Sequence, residues 1–401
     1  MAVGFVMPMQ FLTQIFWVND RYPDRDVLYV SLIAASRGSA MLLFGLVGGA
    51  WADRFERRKV LLAAQSASLA IHAGVAALMV FEPFGAANIA VLLVLTFAAA
   101  GTMAVDQPAR TASTPDIVGR DDLSNAVTLQ MVAQQLAFPL ALPLVGILND
   151  QFSAGTVYCL TLTVWLAILP LIGLLRFRSI GEANRSESML ANIRDGLRYA
   201  RADATIFGVM GIVFTLQILG MPGVATLGPL WMTKVLGLSP AEVGFMVTTW
   251  GLGTFASSFF FLFRKGVSSR GLTLCIAVLT FASCAIVFGH SRSIPLTAVA
   301  NFGLGASMVG TMVTANTIVQ QNVSDAMRGR VMGLFPLAMG LSMLGGLPVG
   351  LAANAWGLAV VVPILAWITL TATGIIVATR PSLRAVGRPR RLAVAPVAGG
   401  G

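Results

Sequence analysis

The chain has 401 residues, of which 56% are hydrophobic and 11% charged, with a mean hydropathy of +0.80. Soluble domains carry about 25% charged residues, so this composition excludes a water-solvated globule and points to a bilayer as the solvent. The formal net charge of +10 does not mark a nucleic-acid binder, because the basic residues recur in short connectors between apolar runs rather than on one face or domain.

Apolar runs predict twelve spans, at 1–18, 28–52, 60–81, 88–107, 125–149, 156–176, 206–231, 240–263, 272–289, 295–320, 331–352 and 358–379. Most reach the ~20 residues a helix needs to cross the hydrocarbon core. A closed barrel would need alternating polar and apolar residues, and these runs are continuous. The expected fold is therefore an all-α membrane protein. The first span begins at Met1 without preceding basic residues and contains Pro8. A signal peptide would have a basic start and a small-residue cleavage site. The segment reads instead as a shortened first span, and a native start upstream of Met1 is left open.

Arg37 lies midway through the second span. A charge at that depth costs about 2.5–3.5 kcal/mol on insertion scales and faces a cavity or a partner. It reads either as a cavity residue or as an arginine held structurally by backbone carbonyls. Next comes GAWADRFERRK at 49–59. Gly49 and Asp53, four apart, stack on one helix face. Gly49 permits a close helix approach. Asp53 can sit at the N-terminus of a neighbouring helix, where a carboxylate gains about 0.3–1 kcal/mol, with Arg54, Arg57 and Arg58 able to pair with it. His72 is the intramembrane histidine and reads as a packing residue. Asp106 and Arg110, at the end of the fourth span, read equally as a gate or as a structural i,i+4 pair.

The connector 177–205 divides the spans six and six. Within it, Leu190, Ile193, Leu197 and Ala200 fall at helical spacing beside Arg194, Arg198 and Arg201. This predicts an amphipathic helix, either on the membrane surface or a plain linker. The expected units are a six-helix bundle at 1–176, the linker 177–205, a second bundle at 206–379 and a tail at 380–401. TPDIVGRDDLSNAV at 114–127 is echoed by QQNVSDAMRGRVM at 320–332, as a parallel six-span repeat would give. Placing both termini in the cytoplasm puts 22 Lys/Arg in inner loops and tail and 4 in outer loops, with Arg37 in neither group. That asymmetry sets a multi-pass orientation in the plasma (inner) membrane. The polar residues Gln14, Gln130, Gln134, Gln217, Thr248, Asn301, Thr311 and Asn316 are candidates for a cavity lining, although each alone is as well explained by an interhelical hydrogen bond.

The 49–59 stretch resembles the signature loop of the major facilitator superfamily, Gly-x-x-x-Asp-Arg-x-Gly-Arg-Arg, with Glu56 where many members have glycine. PARTASTPDIVGRDDLSNAV, IRDGLRYARAD and RGRVMGL (328–334) resemble the subfamily that contains enterobactin exporters and macrolide efflux proteins. The resemblance spans about residues 30–380 and also places an arginine at position 37. It implies two bundles around a central cavity and a signature loop that latches them in the outward-facing state. Asp53 would then lie near Arg330, beside Arg328. FRKGVSSR at 263–270 has no aspartate, so the latch would be asymmetric. The implied function is secondary-active export of a small amphipathic organic molecule (drug, siderophore or metabolite), with protons as coupling ion. No acidic residue sits at mid-membrane to carry the proton. The chain has no phosphate loop, no His-Glu-x-x-His and no paired intramembrane aspartates. The expectation is a monomer that is not an enzyme and uses no cofactor or metal. Its partners would be a small-molecule substrate, the coupling ion and the lipid bilayer. Import by the same fold, or a transport-inactive truncated or sensor-like homologue, are the alternatives.

Overall fold

A computed structural model of the protein describes residues 2–118, 122–174, 189–263 and 269–386. The long apolar runs are helices because a bilayer leaves backbone N–H and C=O groups no partner but each other. In chain order these are α1 (Ala2–Arg21), α2 (Asp26–Arg54), α3 (Arg57–Phe81), α4 (Asn88–Val118), α5 (Leu123–Gln151) and α6 (Ala154–Leu174). A shorter α7 (Met189–Ala202) follows, then α8 (Ala204–Thr215), α9 (Gly228–Leu236), α10 (Pro240–Phe263), α11 (Arg270–His290) and α12 (Ile294–Asn322). After these come α13 (Asp325–Met332), α14 (Leu334–Trp356), α15 (Leu358–Thr379) and α16 (Pro381–Ala385).

Ten helical stretches among the described residues are long and apolar enough to cross a membrane. α1 and α5 occupy the places expected for the first and fifth spans. α1 is 20 residues long with Pro8 inside it. Leu43, Val94, Leu140, Leu166, Phe245, Phe259, Val299, Leu351 and Trp367 are exposed on these helices. In water such a surface would aggregate; hydrocarbon solvates it.

The seventh span departs from the plain helix expected at 206–231. α8 runs into two π-helical turns, Leu216–Gly220 and Pro222–Thr226, before α9 resumes. Pro222 has no N–H to give and its ring crowds the preceding turn, so the ladder slips to the wider i→i+5 pattern. The π turns themselves place Gln217 in the core, with Oε1 buried and without a hydrogen-bond partner.

α1 packs on α5 and α6, α2 on α4, and α3 on α4 and α6. In the second half α12 packs on α10 and α11, and α11 on α15. The halves meet along two helix pairs, α2 on α14 and α5 on α10. Both pairs run close because they meet at glycine. A Cβ on Gly244 would strike the Leu142 carbonyl and the Gly146 backbone, and one on Gly340 would strike Leu42. Small residues at such crossings let backbones approach where lipid supplies no hydrophobic drive.

The connector helix α7 docks on α13. Arg330 Nη1 donates to Asp195 Oδ2 at 3.0 Å, and Gly196 lies against the Arg330 carbonyl. Asp203 then caps α8, accepting from Thr205 N and Ile206 N at 2.8 and 2.9 Å. The predicted amphipathic segment is thus a helix docked on α13, followed directly by the cap of α8.

Candidate functional site

A polar network lies buried inside the first half, built by four helices. From α2, Arg37 Nη2 donates to Gln14 Oε1 of α1 at 2.9 Å. Gln14 Nε2 donates onward to the Tyr158 hydroxyl of α6 at 3.3 Å. That hydroxyl lies 2.9 Å from His72 Nδ1 of α3. The His72 ring stacks on Trp165, with centroids 5.4 Å apart. One turn before Gln14, Gln10 Nε2 donates to Thr161 Oγ1 at 3.1 Å. On the other flank Asn149 Nδ2 donates to Thr13 Oγ1 at 3.1 Å. Gln10, Gln14, Tyr158 and Thr161 are all buried. A buried polar group left unpaired costs about 1–3 kcal/mol, so each partner here stabilises the next and the chain of bonds holds its members in one arrangement.

The Arg37 guanidinium also rests over the Phe11 ring, 4.8 Å from its centroid, a favourable cation–π distance. The interhelical hydrogen bond expected of an isolated polar residue is realised at Gln14, but in a network rather than singly. His72 is a packed histidine, as expected, and it is also the end of that network. Gln10, Tyr158, Thr161 and Trp165 were missed from the sequence. The available signal was a tyrosine in an apolar run, since a buried phenol needs a partner.

The basic cluster after α2 is partly described. Gly49, Asp53 and Arg54 lie on α2, but their side chains, like that of Gln134, fall outside the described residues. Arg57 Nη1 donates to Asp116 Oδ2 at 2.7 Å and to the Ala112 carbonyl at 2.9 Å, tying α3 to the end of α4. Arg58 Nη2 donates to the Gly173 carbonyl at 2.5 Å, a cation at the C-terminal end of α6 where the dipole favours it. Asp106 is buried, with Arg110 Nη2 at 2.6 Å on Oδ2 and Gln65 Nε2 at 2.8 Å on Oδ1. It is an i,i+4 pair clamped by a neighbouring helix. Arg328 pairs with Asp325 at 2.6 Å, and Arg330 with Asp195.

The remaining lining candidates are less suited to that role. Thr248, Thr311 and Asn316 each give their donor to a carbonyl of their own helix. Thr311 has no exposed surface, which is the geometry of packing rather than of lining. Asn301 joins α12 to α10 by donating to the Met246 carbonyl at 2.7 Å. Gln130 is partly exposed.

One cross-half contact had no sequence signal. Lys234 Nζ, at the end of α9, reaches Asp26 Oδ1 of α2 at 2.7 Å and the Pro23 carbonyl at 2.9 Å. Asp26 is 1% exposed. This ion pair joins the halves at the end opposite the arginine-rich connectors.

Two helical halves meeting along α2–α14 and α5–α10, with a polar network buried in the first, define the class: a membrane transporter of the major facilitator fold. The chain belongs to the transmembrane secretion effector family of that superfamily, whose model matches residues 20–388. It is 24% identical over 364 residues to the multidrug efflux pump Tap of Mycobacterium tuberculosis (strain ATCC 25618 / H37Rv), covering 88% of this chain and 85% of that one. It is 25% identical over 349 residues to the enterobactin exporter EntS of Escherichia coli O139:H28, covering 83% and 81%. Among solved structures, the D-xylose-proton symporter superposes with a TM-score of 0.73 at 13% identity over 96% of each chain. The fold expected from the sequence is therefore the fold observed, and the chain is a multi-pass transporter.

Proposed function

We propose that this transporter exports a small amphipathic organic molecule from the cytoplasm by alternating access, coupled to proton entry. The observation that carries the reading is the Arg37–Gln14–Tyr158–His72 network, which links four helices and holds a charge in the central turns of α2. A hydrogen-bonded charge at this depth marks a pathway residue. Export is supported by the similarity to Tap, named as an efflux pump, and to EntS, named as an exporter. Proton coupling rests on the family resemblance.

In this reading both termini are cytoplasmic and the chain works as a monomer. Residues 1–176 and 206–379 are the moving bundles, 177–205 their linker and 380–401 a tail. Gly49, Asp53, Arg54, Arg57 and Arg58, with Arg328 and Arg330, latch the cytoplasmic side. Lys234–Asp26 closes the opposite side. Alternation then exchanges one set of contacts for the other, and a substrate shifts the balance only by binding one state more tightly.

The test is accumulation of a fluorescent amphipathic drug panel in cells expressing the chain, with and without a protonophore. Lower accumulation that the protonophore abolishes is expected. Lower accumulation that survives the protonophore would remove proton coupling, and higher accumulation would reverse the direction.

A further inference from the structure

Asp106 of α4 and Arg37 of α2 both lie in the central turns of their helices, but they are partnered differently. Asp106 is already taken by Arg110 and Gln65. Among the described residues no carboxylate lies within ion-pairing distance of Arg37; its partners are the Gln14 amide oxygen and the Phe11 ring.

A guanidinium offers five N–H donors in a planar fork, and the protein uses one nitrogen of it. Among the described residues Nε and Nη1 have no acceptor, yet neither is a fully buried unpaired atom, and the residue is only partly buried. The unused edge of the fork therefore borders accessible space. Its position is set in advance. Gln14 is held by Tyr158 and Tyr158 by His72, so the amide oxygen that orients Arg37 does not turn away. Phe11 covers one guanidinium face with an apolar surface. One residue further on, Gly38 lies against Gly340 and Met343 of α14, so α2 itself runs along the seam between the halves.

We propose that Arg37 is a recognition site for the anionic group of the transported molecule, a carboxylate or comparable compact oxyanion, which completes the fork in bidentate fashion. The substrate class is then an amphipathic organic acid, with its apolar body along Phe11. Cations are rejected by an uncompensated positive charge in low dielectric. The inference deepens the transport reading and rests on it for direction of movement, but binding is tested separately.

The experiment uses the purified full chain in detergent with 11-(dansylamino)undecanoic acid and its methyl ester, followed by dansyl fluorescence. The pair differs in charge at one end only. The acid is expected to bind the native chain about tenfold or more tightly than the ester, as a charge-assisted bidentate bond supplies. Arg37→Gln is expected to abolish that preference, the acid and ester then binding within about twofold of one another, and Arg37→Lys to retain part of it. Gln14→Glu keeps the arginine but fills its fork with a resident carboxylate, and the same loss of preference is expected, which covers the case where Arg37→Gln does not fold. A native chain without preference for the acid, or a preference that survives in Arg37→Gln or Gln14→Glu, overturns the proposal. Acid-selective binding without movement of the acid in everted vesicles leaves this site standing and overturns the transport reading instead.

Discussion

The two halves repeat one architecture but differ in how far their buried polar side chains reach, although hydroxyls such as Ser31, Ser113 and Thr161 bond their own helix in the first half too. In the first half, buried polar side chains reach across helices: Arg37 to Gln14, Gln14 to Tyr158, Tyr158 to His72, Gln10 to Thr161. In the second half most turn back on their own helix. Thr248, Ser307, Thr311, Thr369 and Thr373 all donate to a carbonyl three or four residues earlier. A cross-helix network specifies one arrangement and can hold a charge. Hydroxyls satisfied within their own helix make no such tie between helices. The second half also contains the π-helical break beside Gln217, a wide turn where a helix can flex. On the proposed reading, recognition falls to the first half and compliance to the second.

The largest effect is expected at the proposed latch. Asp53→Asn should lower efflux by at least about tenfold with normal amounts of protein in the membrane fraction, as loss of a helix-terminal carboxylate in a latch would. Normal efflux by a well-expressed variant would remove the latch from the scheme. Lys234→Gln strands the Asp26 carboxylate. Breaking a buried pair costs about 3–5 kcal/mol, and less here because the Lys234 side chain is 36% exposed to screening. The expected readout is faster thiol labelling of a cysteine placed at the Asp26 end, with Asp26→Asn/Lys234→Gln milder than Lys234→Gln alone.

Within the first half, Tyr158→Phe removes the hydroxyl that bridges Gln14 and His72. It is expected to cost about 1–3 kcal/mol, the penalty for orphaning a buried polar group, seen as a lower unfolding temperature in detergent, and to reduce efflux several-fold. An unchanged melting point would show that the network stabilises nothing. The smallest effect is expected in the second half. Thr369→Val and Thr373→Val should each move stability by about 1 kcal/mol or less and leave efflux intact. A loss as large as that of Tyr158→Phe would erase the contrast between the halves.

Some of the site was legible before any coordinates. Arg37 stood out because a guanidinium in an apolar run is conspicuous at one position, and Gln14 because an amide there needs a partner. The signature stretch stood out because Gly49, Asp53 and the arginines are close in sequence. What joins Arg37 to His72 was not legible, because its members come from α1, α2, α3 and α6 and no local spacing relates them. Lys234 and Asp26 were hidden for the same reason, 208 residues apart and individually ordinary for loop ends. Thr311 and Asn316 misled in the other direction, since a hydroxyl or amide satisfied by its own helix looks identical in sequence to one facing a cavity.

The sequence by itself determined the solvent, the helical class and the division of the chain into six spans and six. Those follow from apolar length and from the need to satisfy every backbone group within a segment, which are properties of consecutive residues. Tertiary structure alone decided which polar groups meet, where the seventh span slips into π turns, and that Arg37 is left with an open fork. Those depend on how helices rotate about their axes and which faces they present, and helix packing settles that only when all the neighbours are in place.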